Sequence, residues 1–358
     1  MRRFHCLLSR EPRPDAGRLI AVDGARDPML LAGRDVELGH WRGHRTPQAW
    51  RADTATGAAL RYVSERNADE GDVALTGHMA VDAILAAFVL VQPELALNHG
   101  TNLALCSEVG DFWSWASPEV LVLYEAVNRR MRRGLREKED ANSVCRGCFG
   151  VVERYLGGLG RDDSEAREAV ELLNAQVALV EDGGIQRRVP TERLATYLLP
   201  ASVVSTRLAE ALFIPQFDAP LRDGALLSPR VRARLDAQRV VLVSVEAQGG
   251  WFHDVWFPGH AWAEAPSLWT PPGISRGTAD HELRFHLPEL ARAADGLQAE
   301  ERNPVFWAVP EKVYPFQGPA KRGRKFPVVT SVLSEALEPS PSSLHPQRVA
   351  AALQAVFA

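Results

Sequence analysis

The chain has 358 residues, long enough for a large core or two domains, and its hydrophobic fraction of 46% and charged fraction of 24% are those of an ordinary globular protein. Lys and Arg total 41 against 45 Asp and Glu, a formal net charge of -4, which excludes a whole-molecule attraction to nucleic acid or anionic membrane. A polyanionic ligand would have to meet a local patch.

The first ten residues, Met-Arg-Arg-Phe-His-Cys-Leu-Leu-Ser-Arg, carry too short an apolar run for a signal-peptide core, and no run of about 18 apolar residues comes later that would span a membrane. Four cysteines over this length do not make a disulfide framework. The expectation is a cytoplasmic protein without membrane partners, with Cys6 and Cys106 as packing residues.

Arg18 to Asp23 is a short apolar run ending in an acid before Gly24, as a buried parallel strand ends at a loop. A second strand is expected over Asp35 to Gly39, with His40 next. Asp53 to Thr56 offers N-caps for a helix through Val63. A third strand runs from Asp72 to Thr76 and stops at Gly77-His78. Asp82 opens a helix, Ala83 to Val91, that is apolar all round and so expected to be buried; Pro93 ends or bends it. Val109-Gly110-Asp111 is a further candidate strand end. Alternating strands and helices predict a parallel sheet.

Ser117-Pro118-Glu119 starts a helix, and a helical pattern continues to about Pro215 with breaks near Gly157-Gly158 and Gly183-Gly184. The last third predicts strands at Arg239 to Glu246, Trp251 to Phe257, Glu282 to His286, Val305 to Val309 and Val328 to Val332. Gln317 to Arg324 and Glu338 to Ser343 are polar loops. The fold class is therefore α/β: a parallel-sheet domain with a helical middle segment over residues 1–216, and a mixed α+β part over 239–358.

Asp23, His40, His44, His78, Asp82 and Asp111 recur at the ends of apolar runs. Carboxyl ends of parallel strands converge on one crevice. Imidazoles and carboxylates gathered there suit a divalent metal, Mn or Mg first. Each residue also has an ordinary structural role: Asp before Gly is a common turn residue, and Asp82 can cap its own helix.

Three other features carry less. Cys145-Arg-Gly-Cys148 has the spacing of a redox or zinc pair but has no second pair to join. The basic runs Arg129 to Arg136 and Lys321 to Lys325 either engage phosphate or form solvated faces, the first running into neutralising Glu137 to Asp140. Trp251 to Glu264 alternates aromatics in a way that reads mainly as core.

The short motifs resemble those of the DHH phosphoesterase superfamily (RecJ-like), in permuted and degenerate form. Leu19 to Gly24 resembles its Val-Asp-Asn-Gly strand end, and Val36 to Pro47 its Asp-His-His motif, read here as Gly39-His40-Trp41. Asp72 to Phe88 resembles its Asp-x-Asp motif, keeping Asp82, with His78 as a substitute ligand. Val109 to Phe112 resembles its later strand-end Asp. The whole is also similar to an uncharacterised bacterial protein family. The resemblance implies a metal-dependent hydrolase of a phosphoester or phosphoanhydride, acting on a small phosphorylated substrate or short oligonucleotide. Asp23, His78, Asp82 and Asp111 would hold the metal, His40 and His44 would be catalytic, and Arg42 and Arg45 would hold phosphate. The alternative is a catalytically inactive DHH-like binding or regulatory protein.

Overall fold

The computed structural model describes residues 2–8, 12–65, 71–159, 163–277, 282–313, 322–323 and 326–358. The chain divides into two compact units: Met1–Glu171 with Asp218–Leu221 and Ala263–Leu268, and Leu172–Phe217 with Arg222–Trp262 and Trp269–Ala358. The break falls inside a helix rather than between residues 216 and 239, and two short segments from late in the sequence return to the first unit.

The first unit holds a four-stranded parallel sheet of β1 (Phe4–Leu8), β2 (Leu19–Val22), β3 (Val36–Leu38) and β4 (Asp72–Gly77), in the order β1-β4-β2-β3. The inner strand β2, Leu-Ile-Ala-Val, is buried at every residue, as expected of a strand covered on both faces. β1 is absent from the sequence expectation because His5 and Cys6 interrupt a run of only five residues. Its pairing with β4 is reinforced by Arg3 and His5, which both reach the carboxylate of Asp72 at 3.0 Å.

Six helices share this unit, of which α1 (Ala55–Glu65), α2 (Val81–Val91) and α6 (Ala141–Leu156) pack on the sheet, with α3 (Pro93–Asn98), α4 (Gly100–Asp111) and α5 (Pro118–Arg136) packing on helices. α2 is apolar all round and buried from Val81 to Leu90, as its composition requires. Asp111 is the last residue of α4 and not a strand end. Leu103, Cys106, Val109 and Gly110 fall at helical spacing, and all are buried. Ser117 caps α5 through Val120 N, and Asp140 caps α6 through Ser143 N at 3.0 Å.

Helix α7 (Ser164–Glu181) straddles the division. The expected helical stretch to Pro215 stops there, at Gly183 with φ 79°. A hairpin of β5 (Gln186–Thr191) and β6 (Leu194–Leu199) comes next, then the short helices α8 (Ala201–Val204) and α9 (Leu208–Ala211), and α10 (Pro229–Asp236). The apolar spacing of Leu194, Ala195, Tyr197 and Leu199 fits either period over so short a run. The parallel partner β7 (Val240–Ala247) selects the strand.

β8 (Gly250–Trp256) pairs with β7, and β11 (Phe306–Ala308) and β13 (Val328–Leu333) complete a six-stranded mixed sheet ordered β11-β13-β8-β7-β6-β5. β9 (Ile274–Arg276), β10 (Leu283–Phe285) and β12 (Lys312–Val313) form a separate antiparallel sheet, with α11 (Pro288–Glu300) and α12 (Pro346–Gln354) completing the second unit. The tryptophans of 251–262 are packing residues here: Trp256 lies under the Arg232 guanidinium, 3.8 Å from ring to cation, and Trp262 is buried. Of the basic loop Lys321 to Lys325, Arg322 pairs with Asp254, while Lys321, Arg324 and Lys325 lie outside the described residues. Among the described residues no helix is long and apolar enough to cross a membrane.

Candidate metal centre

β2 and β3 end side by side, and each strand runs directly into polar residues. Asp23, in the left-handed region at φ 56°, leaves β2; His40, after Gly39, leaves β3. The two strand ends pass close to each other at Gly24 and Gly39. A Cβ on Gly39 would run into the carbonyl oxygen of Gly24. Asp82, in the first turn of α2, and Asp111, at the end of α4, close the same space from the helix side. One ligand atom from each of Asp23, His40, Asp82 and Asp111 lies within 4.8 Å of all the others, and all four side chains are buried.

His40 is the hub. Its Nε2 lies 3.2 Å from Asp111 Oδ2, 3.4 Å from Asp82 Oδ2 and 3.5 Å from Asp23 Oδ1. Its Nδ1 donates to the backbone oxygen of Asp53 at 2.6 Å. That bond leaves Nε2, once its own proton is released, as the nitrogen that could meet a cation, as in most metal-binding histidines. Ligands held about 2.0–2.2 Å from one ion stand roughly 3.0–3.4 Å apart, close to the spacing found here.

The carboxylates are held by groups outside the cluster as well as facing into it. Trp41 Nε1 donates to Asp23 Oδ1 at 2.9 Å, and Asp23 Oδ2 is buried with no hydrogen-bond partner among the described residues. Asp82 accepts the amides of Ala55 and Thr56, both at 2.8 Å, so it caps α1 and not its own helix α2. The first amide of α2, Val81 N, donates instead to Asp218 Oδ2 at 3.1 Å.

Charge is crowded here. Burial pushes the Asp82 carboxyl up, against the pull of His40, and pushes Asp111 well above the usual carboxylate range. Burial works to lower His40, but hydrogen bonds to Asp111 and Asp23 outweigh it and hold the imidazole well above its ordinary value. Three acids around one imidazole, out of water, are an arrangement that a divalent cation would neutralise. The oxygen-rich donor set with one neutral imidazole suits hard or borderline ions. These four residues could therefore hold a metal.

Four expected members stand apart. His78 is not in the group: the chain leaves β4 through Gly77 at φ 97°, and the His78 ring packs edge-on against Trp41 at 5.2 Å. His44 uses both ring nitrogens to hold its loop, accepting from Thr46 N at 3.3 Å and pairing with Glu264 at 3.3 Å, and burial lowers it to about 4. Arg45 is engaged with Glu37 and with the backbone oxygen of Asp27. Arg42 is half-buried, and burial lowers its pKa against the charge of Glu264. His40, expected as a catalytic residue or a further ligand, lies among the four residues that could hold a metal.

Two features carry no sequence signal. Glu108, one turn before Asp111 on α4, is pushed up to about 7 by burial and by the charges of Asp53 and Asp82. The segment Ala263–Leu268 backs the His40 loop: Glu264 N donates to His40 O at 2.7 Å, Gly43 N donates to Glu264 Oε1 at 2.6 Å, and Ser267 N donates to Asp53 Oδ1 at 2.9 Å. Glu264 sits more than 200 residues from His40, beyond any spacing motif.

No curated protein and no solved structure matches the chain. Residues 3–229 match the model of a family of unknown function, DUF6687, and the chain belongs to that family.

Proposed function

We propose that the protein is a divalent-metal-dependent hydrolase of a phosphoester or phosphoanhydride, with Mn or Mg held by Asp23, His40, Asp82 and Asp111. The observation that carries this reading is the meeting of three buried carboxylates with an imidazole whose second nitrogen is tied to a backbone oxygen. Such an ion, when bound, neutralises charge on a phosphate oxygen and lowers the pKa of bound water. The chain's own part is to fix the four donors and keep water scarce around them. The DHH phosphoesterase resemblance of the same segments supports the same chemistry, on a small phosphorylated substrate or a short oligonucleotide.

A second reading is favoured by one observation: all four ligand residues are 3% exposed or less. An ion so enclosed would order a binding or regulatory protein without turnover. The two readings separate in one experiment. Protein purified with added Mn is analysed for metal and assayed on bis-p-nitrophenyl phosphate and a short oligonucleotide, beside Asp111→Asn. Metal with turnover that Asp111→Asn abolishes supports the hydrolase. Metal without turnover selects the binding protein, and no metal sinks both.

A further inference from the structure

The second site lies on the outer side of α5 and α6, in the first unit. A trough of about 1370 Å³ runs between these helices, with Pro220 on its wall. That is larger than the roughly 300–1,000 Å³ of a pocket for one small molecule. Six arginines line it: Arg129, Arg130, Arg132, Arg133, Arg136 and Arg154. Two acids, Asp163 and Glu165, line it as well. On a chain of net charge -4 this is a concentrated positive patch.

The arginines fall into two sets. Arg130 is forked onto Glu139, and Arg132 donates to Asn128 Oδ1 at 3.0 Å and to the backbone oxygen of Asp218 at 2.9 Å. Arg129 is held by the two acids. Arg133, Arg136 and Arg154 make no hydrogen bond or ion pair through their side chains among the described residues, and all three are exposed. Two of the three acids that follow the helix are engaged elsewhere. Glu139 is taken by Arg130, and Asp140 caps α6. Three fixed cations and three exposed, unpaired ones therefore line one groove, and a ligand of repeated negative charge would pair with the latter.

The apolar lining narrows the class. Leu135 and Leu159 are 47% and 82% exposed, and both border the trough. The Tyr155 hydroxyl is buried without a hydrogen-bond partner among the described residues. Arginine forks with an interleaved aromatic ring and apolar surface are what a single nucleic-acid strand uses, phosphates on the cations and base faces on the ring. We infer that this trough binds a single-stranded oligonucleotide through Arg133, Arg136 and Arg154, a site separate from the metal centre. Asp218 contacts neighbours of both: its backbone oxygen accepts from Arg132, and its carboxylate accepts Val81 N, next to Asp82.

The test is fluorescence anisotropy of a 5′-fluorescein-labelled dT12 in EDTA, so that the metal centre plays no part. The expected result is binding at 50 mM salt that weakens as salt rises, with a log–log slope of about −2 for three phosphate contacts on a single strand. Arg133→Gln/Arg136→Gln/Arg154→Gln should weaken binding 10-fold or more and flatten the slope, with an unchanged melting temperature. Single Arg133→Gln and Arg154→Gln variants, each weakening binding severalfold, serve should the triple variant not fold. No binding by the wild type at 50 mM salt, or equal binding by the folded triple variant, overturns the inference. Equal displacement of dT12 by polyglutamate of matched charge overturns the nucleic-acid assignment.

Discussion

The carboxylate of Asp82 spans the first turn of α1, its two oxygens accepting the amides of Ala55 and Thr56 at 2.8 Å each. Asparagine has one acceptor and would turn its NH2 toward the other amide. Asp82→Asn is therefore expected to destabilise even the metal-free protein by about 1–3 kcal/mol. Thermal denaturation in EDTA checks it; an unchanged melting temperature would mean that the cap is not used.

Asp111 is the cleaner position for removing a charge. Its Oδ2 faces His40 at 3.2 Å, and burial already holds its carboxyl well above the usual range. Asp111→Asn should keep or raise the metal-free melting temperature while weakening Mn binding at least tenfold, about 1.4 kcal/mol. Calorimetric titration reads both binding constants, and equal affinities would remove Asp111 from the ligand set.

Gly39→Ala tests the approach of the two strand ends. The added methyl meets the backbone oxygen of Gly24, which has no side-chain freedom with which to yield. Spreading the strands moves Asp23 from His40. The expected outcome is a lower melting temperature together with weaker Mn binding, against Gly17→Ala, where nothing lies within 4 Å of the added carbon and the backbone is not left-handed, as the control for an added methyl alone.

In the second unit, His253 is a buried neutral histidine. Its Nε2 donates to Leu344 O at 3.0 Å, its Nδ1 accepts from Ser244 Oγ at 2.9 Å, and its ring stacks on Trp307. Burial pushes it down to about 4 from an ordinary 6.5. The unfolded chain thus binds a proton that the folded chain refuses, so stability is fully present above pH 6.5 and falls as pH drops toward 4. The loss amounts to about 3 kcal/mol over that window. Urea denaturation at stepped pH should show this limb, and His253→Gln should flatten it; an identical limb in the variant would assign the loss elsewhere.

Cys145 and Cys148 are buried thiols, not a reactive pair. Cys145 is pushed up by its hydrogen bond with Cys6 and by burial, and burial pushes Cys148 up to about 12. Both should resist iodoacetamide in the native protein and react only on unfolding, as read by mass spectrometry. Rapid labelling without denaturant would contradict the packing role.

The parallel strands β2 and β4 and the buried helix α2 are legible in the sequence because their apolar runs are longer than chance and end in Gly or Pro. So are Asp23 and His40, which leave their strands directly. Asp111 stands out for the wrong reason: three residues, Val109-Gly110-Asp111, cannot distinguish a strand end from a helix end, and only the wider spacing from Leu103 does. His78 lies outside the group, and the glycine before it, with φ 97°, turns the chain in a way that the apolar run ahead of it does not reveal. β1 and the β5–β6 hairpin are hidden because their identity comes from the neighbours β4 and β7, which no local pattern contains.

All four prospective ligands are made by Asp111, yet the segment that backs the His40 loop begins at Ala263, about 150 residues later. At ~5–20 residues per second, the ribosome takes roughly 8–30 s to bridge that gap. During that interval the nascent chain holds the acids and the imidazole without Glu264 behind His40 or Ser267 on Asp53. The backing of the His40 loop by Glu264 and of Asp53 by Ser267 is thus completed well after the acids and the imidazole have been synthesised.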